Sequence, residues 1–416
     1  MYLFFYQVLV LILIPFALAK LIYRSLFNPN YLNYVLERFG IYKKKRYKNP
    51  IVWIHAVSVG ESNAIKYLVD NILELNNSVE ILITHGTLTG REVKINDSTR
   101  IHRAYLPYDL KPFVQSFLNH FKPNLGLIVE TEIWPSLMHQ AQNHKIPLFL
   151  INGRLSQRSL KKYLMAKHFF VRVFEGFQSI YAQSDQDKNH FAQIYSKKIY
   201  TQGNLKFDFP LPKGIQNTRS LLAKKLNIDK QFVMVAGSTR QGEELELLKL
   251  YKELNHPKIT LIIVPRHPQR FREVEKLIQT SNFDYVKRTT TQNIKRVPQI
   301  ILGDSMGEMF NYYAMADFII MGGSIKDFGS QNPIEALKLE KKIAIGPSDY
   351  NFKHIIDDGT SKGIFIRFKK LDEIKDEVLR QVNHKNGQQE SKKIKAFIKN
   401  NSGASVQIAK KINQYL

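Results

Sequence analysis

Ile51-Val52-Trp53-Ile54-His55-Ala56-Val57-Ser58-Val59-Gly60-Glu61 decides how this chain is read. Four apolar residues make a short strand, a glycine turn follows, and the residues beyond it have helical period. In an alternating β/α chain, ligands gather outside the carboxyl ends of the strands, where loops and helix N-termini converge. Glu61 stands at such a place and is the first candidate for a catalytic group. A structural reading stands beside it, since an acid at a helix start is favoured by the helix dipole alone.

Working outward, β-rich runs recur at 51–54, 79–84, 125–129, 147–151 and 179–182, separated by segments of helical period such as 63–75 and 111–120. A second series runs through 232–236, 260–264, 299–302, 317–321 and 342–345. Both predict parallel sheets covered by helices. Between them, Phe209-Pro210-Leu211-Pro212-Lys213-Gly214 has the stiffness and turn chemistry of a linker. The expected architecture is α/β, with two Rossmann-like domains facing a cleft: 1–25 an N-terminal membrane anchor, 26–209 the first domain, 210–221 the linker, and 222–416 the second domain.

A chain of 416 residues with 44% hydrophobic and 12% aromatic content has enough apolar material for two sizeable cores. It contains no cysteine, which excludes disulfides and thiolate metal sites. The formal charge of +25 points to anionic partners. No nucleic-acid module or basic-aromatic stripe accompanies it, so anionic lipid is the expected partner and nucleic acid is not.

Leu3 to Ala19 is apolar except for Gln7 and the Tyr6 hydroxyl, and the run resumes after Lys20. Its length suits a hydrocarbon core, which needs roughly 20 residues. No positive charge precedes it, as a cleaved signal would require, so it reads as an uncleaved anchor. Lys20, Arg24, Arg38, Lys43, Lys44, Lys45, Arg46 and Lys48 face only one acid, Glu37. By the positive-inside rule the rest of the chain is then expected at the cytoplasmic side of an inner membrane. A helix lying in the interface is the competing reading, because the run is short and contains Pro15.

Polar turns follow the strands of the second domain. Ala236-Gly237-Ser238-Thr239 leads to Gln241-Gly242-Glu243-Glu244, where backbone amides can hold an oxyanion. Val264-Pro265-Arg266-His267-Pro268 sets a guanidinium between two prolines, suited to gripping phosphate or to an edge salt bridge. Gly303-Asp304-Ser305-Met306-Gly307-Glu308 opens a helix, and Met321-Gly322-Gly323-Ser324 precedes Asn332-Pro333-Ile334-Glu335-Ala336. Asn332 and Glu335 read either as a ribose and phosphate contact or as an N-cap with its capping-box partner. In the first domain, Glu130 and Glu132 end a strand and, on an extended chain, face opposite ways. Lys206 precedes the linker. His55, His85 and Arg154 are at strand ends, where the histidines read as satisfied packing residues or as supports of a site. Asp185-Gln186-Asp187 looks like a metal motif but reads as helix-start acids.

In their order along the chain, Ser58-Val59-Gly60-Glu61, Tyr105-Leu106-Pro107-Tyr108-Asp109, Glu130-Thr131-Glu132-Ile133-Trp134-Pro135, Arg154-Leu155-Ser156, Leu205-Lys206-Phe207-Asp208, Val264-Pro265-Arg266-His267-Pro268, Met306-Gly307-Glu308, Gly322-Gly323-Ser324 and Asn332-Pro333-Ile334-Glu335 resemble the 3-deoxy-D-manno-octulosonic acid (Kdo) transferases of lipid A biosynthesis. That family consists of membrane-associated glycosyltransferases of the GT-B fold. The resemblance implies transfer of Kdo from CMP-Kdo to a sugar hydroxyl of a lipid A precursor, with inversion and with no metal or other cofactor. It implies Glu61 as general base, Glu130 and Lys206 as helpers of the transition state, and Pro265, Arg266, Met306, Gly307, Glu308, Asn332, Pro333, Ile334 and Glu335 around CMP. The first domain would take the acceptor and the second the donor.

Two positions depart from the family pattern. Gly329-Ser330-Gln331-Asn332 replaces a usual Gly-Gly-His-Asn, and Arg240-Gln241-Gly242-Glu243-Glu244 replaces His-Glu-Gly-Glu-Glu. The alternatives are another GT-B nucleotide-sugar enzyme of envelope polysaccharide synthesis, or a catalytically silent, membrane-tethered binding protein.

Overall fold

The computed structural model describes residues 2–45, 47–290, 294, 296–383 and 388–416. Arg46 of the basic run lies outside them. The chain divides into two compact units, residues 1–209 with 401–416, and residues 210–400.

The first unit carries β1 (Ile51–His55), β2 (Glu80–His85), β3 (Ile101–Tyr105), β4 (Leu125–Val129), β5 (Leu148–Gly153), β6 (Phe177–Ala182) and β7 (Lys198–Thr201). They form one parallel sheet in the order β3-β2-β1-β4-β5-β6-β7. Helices cover both faces, so the central strands are apolar on both sides. Ile51 and Trp53 enter one core, while Val52 and Ile54 enter the other. Gly126 on β4 gives the Trp53 ring its place: a Cβ there would lie 2.7 Å from the indole. The indole N–H donates to Thr84 Oγ1 at 2.7 Å, tying β1 to β2.

The second unit carries β8 (Phe232–Thr239), β9 (Ile259–Pro265), β10 (Tyr285–Lys287), β11 (Ile300–Leu302), β12 (Phe318–Met321), β13 (Lys342–Ile345) and β14 (Phe365–Arg367). Its sheet is also parallel, in the order β10-β11-β9-β8-β12-β13-β14. In each sheet the first strand sits between neighbours reached in opposite directions, β2 and β4 around β1, β9 and β12 around β8. These are the switch points at which open α/β sheets place ligands.

Two expected boundaries change. Gly214, at φ +76°, ends the stiff Pro210–Gly214 turn, and residues 215–221 of the expected linker belong to helix Ile215–Lys225. The second domain was expected to run to 416. From Asn401 onward the chain belongs instead to the first unit, because helix Ala404–Ile412 buries Ala404, Ile408, Ala409 and Ile412 beside Val52 and Ile54.

Candidate active site

At the β1 end, Ser58 caps helix Val59–Ala64 and accepts from the Glu61 N–H. The Glu61 carboxylate answers: Oε1 accepts from Ser58 Oγ at 2.8 Å and Oε2 from the Val57 N–H at 2.7 Å. The arrangement is close to a capping box, with the Val57 N–H in place of the N-cap N–H, and Glu61 does have a structural part at the helix start. It does not exhaust the residue. Glu61 is only 7% exposed, and its carboxyl is raised to about 7, chiefly by burial and to a lesser degree by Glu130 and Glu132, against the two hydrogen bonds that lower it. A carboxylate poised near neutrality suits proton transfer better than one that only caps a helix.

The ground beneath that turn is fixed. Thr87 donates through Oγ1 to Val57 O at 2.9 Å, and Ser62 Oγ donates to Gly90 O at 3.2 Å. His55 pairs through Nδ1 with Thr84 Oγ1 at 2.9 Å, and His85 Nδ1 lies 3.1 Å from Ala56 O. Burial pushes the His55 imidazole down to about 4 and that of His85 to about 3, so both are neutral near pH 7. They are packing residues that brace the Glu61 turn.

At the β4 end, Glu130 has φ +58°, in the left-handed region that costs a non-glycine residue roughly 1–2 kcal/mol. That bend breaks the strand alternation. Glu130 and Glu132 were expected to face opposite ways, yet both carboxylates act on Glu61. Thr131 Oγ1 donates to Arg154 O and holds the bend. Glu130 Oε1 meets Lys206 Nζ at 3.3 Å.

Lys206 sits in the one-turn helix Leu205–Phe207, capped by Asn204. Asn204 Nδ2 donates to Gln183 Oε1 at 3.0 Å, and the Leu205 N–H donates to Asn152 Oδ1 at 3.1 Å. The C-terminal segment grips the same turn. Asn204 N–H donates to Asn401 O at 3.0 Å, and Asp208 accepts from the N–H groups of Gly403 and Ser405 at 2.6 Å each. No local signal in the sequence links Asp208 to residues nearly two hundred positions away. Glu61, Glu130, Glu132 and Lys206 are thus brought together from three strand ends. Asp187 does not join them: Ser184 caps its helix by accepting from the Asp187 N–H at 3.1 Å, and the Asp187 carboxylate accepts from Ser184 Oγ at 2.6 Å and from the Leu155 N–H at 2.8 Å.

In the second unit, Glu243 changes the reading of the turn after β8. It is fully buried and accepts from the N–H groups of Arg240 (2.8 Å), Gly323 (2.7 Å), Ile325 (2.9 Å) and Lys326 (3.2 Å). Within the turn expected to hold an oxyanion, the Arg240 amide is taken by the protein's own carboxylate, which ties that turn to the loop after β12. Gly322 makes this crossing of loops possible, because a Cβ there would lie 2.4 Å from Ser238 O. Glu244 is likewise internal, accepting from both Nη atoms of Arg270 at 2.7 and 3.0 Å.

The groups left for a ligand stand around Arg266, which is exposed after the last residue of β9, Pro265. Burial raises the Glu335 carboxyl, while the Arg266 charge and a hydrogen bond with Asn332 lower it. Asn332 Oδ1 accepts from the Ile334 N–H at 3.1 Å, an Asx turn leading through Pro333 into the short helix Ile334–Lys338. Pro333 and Ile334 are buried and the Ile334 N–H is taken, leaving Asn332 and Glu335 as the polar pair there. Met306 and Gly307 are exposed on the next loop, which Glu308 fixes by accepting from Ser305 Oγ at 2.5 Å and Arg288 Nη2 at 2.9 Å. Of the two departures, Arg240 contacts His267 Nε2 at 2.5 Å and lies over the Phe328 ring. Gln331 lies over Gly323, where an added Cβ would come within 2.8 Å of its amide nitrogen.

A family profile described as 3-deoxy-D-manno-octulosonic-acid transferase matches residues 33–209. The chain is 33% identical over 367 residues to the 3-deoxy-D-manno-octulosonic acid transferase of Haemophilus influenzae, covering 85% of this chain and 84% of that protein. It is 32% identical to the enzyme of the same name from Bordetella pertussis, covering 76% of each. Among solved structures, it resembles a UDP-GlcNAc 2-epimerase from Neisseria meningitidis bound to UDP-GlcNAc, with TM-score 0.56 and 15% identity, over 88% of this chain and 99% of that one. That last likeness concerns the fold, which is GT-B.

Proposed function

The chain belongs to the Kdo transferases, glycosyltransferases of lipopolysaccharide biosynthesis, and on that footing we propose that it moves Kdo from CMP-Kdo to a sugar hydroxyl of a lipid A precursor, with Glu61 as general base. The observation that carries the reading is the buried Glu61 carboxylate, raised to about 7 and set beside the Glu130–Lys206 pair. In its ionised form Glu61 takes the proton of the acceptor hydroxyl as that oxygen bonds to the anomeric carbon of Kdo. The bond from that carbon to the CMP phosphate oxygen breaks, its electron pair leaves with CMP, and attack from the opposite side inverts the anomeric centre. Lys206 offsets negative charge on the reacting sugar, and Glu130 orients Lys206.

The first domain would hold the acceptor and the second the donor. CMP leaves with a single phosphate, which Arg266 can neutralise without a divalent ion. Pro265, Met306 and Gly307 would frame the nucleotide, Glu308 would set their loop, and Asn332, Pro333, Ile334 and Glu335 would close the ribose side. Glu335, kept polar by Arg266 and Asn332, is suited to accept from ribose hydroxyls. Catalysis would take place at the cytoplasmic face of the inner membrane, where the basic residues after position 20 meet anionic lipid.

Incubation of the full-length protein with CMP-Kdo and a lipid A precursor, read by mass spectrometry, tests the reading. A mass increase of one or more Kdo units is the expected result; an unchanged acceptor overturns it. CMP, and not UDP or GDP, is expected to raise the melting temperature, which separates a Kdo donor from other nucleotide sugars.

A further inference from the structure

Helix Tyr2–Ser25 is apolar all round, with mean hydropathy 2.3 over its most apolar 18-residue stretch, and is long enough to cross a bilayer. Its contacts point elsewhere. Leu3, Tyr6, Val10, Ile14, Leu18 and Leu21, spaced by three or four residues, are all shielded, and Ile14 is buried. A stripe with that period running from the first turn to the last is one face of a helix partly covered along its length, most closely at Ile14. The cover at the N-terminal end belongs to the first domain. The Tyr2 and Tyr6 rings stand 6.3 and 6.4 Å from the Phe169 ring, and the Tyr6 hydroxyl reaches Asp109, which caps helix Pro135–Asn143 through the N–H groups of Ser136 and Leu137. The C-terminal end runs straight into the same domain through the turn Pro29–Leu32.

A helix of 24 residues is about 36 Å long, a little more than a hydrocarbon core. If it crossed, Tyr2 would lie on the far side of the membrane from the domain that Phe169 and Asp109 belong to. Those contacts and a crossing exclude each other. The opposite face is bare: Phe4, Phe5, Leu9, Ile12 and Phe16 are all more than half exposed, Phe16 at 70%. Beside Phe169 the chain shows Met165, 88% exposed, among exposed Lys161, Lys162 and Lys167.

We propose that this helix does not span: it stays docked lengthwise on the first domain and lies in the plane of one leaflet, its bare face in the acyl boundary and the neighbouring lysines on anionic headgroups. Low amphipathicity then has a plain cause, since one apolar side meets protein and the other lipid.

The chain has no cysteine, so single introduced thiols report without background. A short polar extension ending in cysteine is placed before Met1, and Lys225→Cys on the exposed surface of the second unit marks the side of the catalytic domains. Both proteins are reconstituted in sealed phosphatidylethanolamine–phosphatidylglycerol vesicles and treated with a membrane-impermeant maleimide. The two thiols are expected to label to the same extent before lysis. An extension that labels only after lysis, in vesicles where Lys225→Cys labels freely, overturns the proposal. Phe5→Glu with Ile12→Glu is expected to lower the vesicle-bound fraction by roughly tenfold or more, and unchanged binding by that variant also overturns it. Neither readout depends on the sugar transferred.

Discussion

The Glu130 carboxylate stands 3.3 Å from the Lys206 ammonium, and its charge adds to the burial that raises the Glu61 carboxyl. With Lys206 in place, the negative charge of Glu130 is partly answered. Lys206→Met leaves it unanswered, so the Glu61 carboxyl should titrate higher and the acid limb of the pH–rate profile should move above about 7. Turnover should fall on the order of 10²-fold, measured as kcat across the pH range. Lys206→Arg should keep the limb near its original position.

Glu132→Gln acts in the other direction. It removes one of the two like charges that raise Glu61, so the acid limb should move to lower pH while the Glu130–Lys206 contact survives. A limb that stays fixed in this variant would mean that Glu132 does not act on the titrating group.

Glu61 also has a stability signature. Its carboxyl rises from 4.5 to about 7 in the folded chain, so between those values the native state binds the extra proton and stability falls as pH rises. The group's stabilising contribution is complete below about pH 4.5 and is lost as pH passes about 7. Glu61→Gln removes that loss, and above pH 7 it should be more stable than the wild type by up to on the order of 2–3 kcal/mol. Thermal melts of both proteins on either side of the window check the sign.

Glu243→Ala strips four N–H groups of their shared acceptor, three of them in the loop after β12. The expected cost is about 3 kcal/mol or more, together with weaker protection by CMP, seen as a lower melting temperature and a smaller ligand-induced shift.

Asp208→Ala removes the cap that receives the Gly403 and Ser405 N–H groups, at about 1–2 kcal/mol. Because the same segment grips Asn204, amide exchange at residues 204–207 should accelerate and turnover should fall with it.

The central strands were legible because they are buried on both faces and read as unbroken apolar runs. The four strands that sequence patterning passes over, β3, β7, β10 and β14, are the two edges of each sheet. Edge strands are only half covered, and their mixed residues, such as Lys198-Ile199-Tyr200-Thr201, carry little signal. At the candidate site, the placing of Glu61 after a strand and of Lys206 before the linker was legible, and the structure brings the two together. The shared action of Glu130 and Glu132 was not, because alternation assumes an extended chain and Glu130 is left-handed. The place of Glu243 was not legible for a related reason: only tertiary structure shows that it ties the turn after β8 to the loop after β12. The return of residues 401–416 to the first unit rests on non-local burial that no window of sequence contains.

The pH dependence of Kdo transfer by the wild type and by Glu61→Gln, followed by mass spectrometry, tests the role of Glu61 most directly. The wild-type rate should rise with pH through about 7 and then level, and Glu61→Gln should lose on the order of 10³-fold in turnover while melting no lower than the wild type. Near-normal transfer by Glu61→Gln would contradict the account.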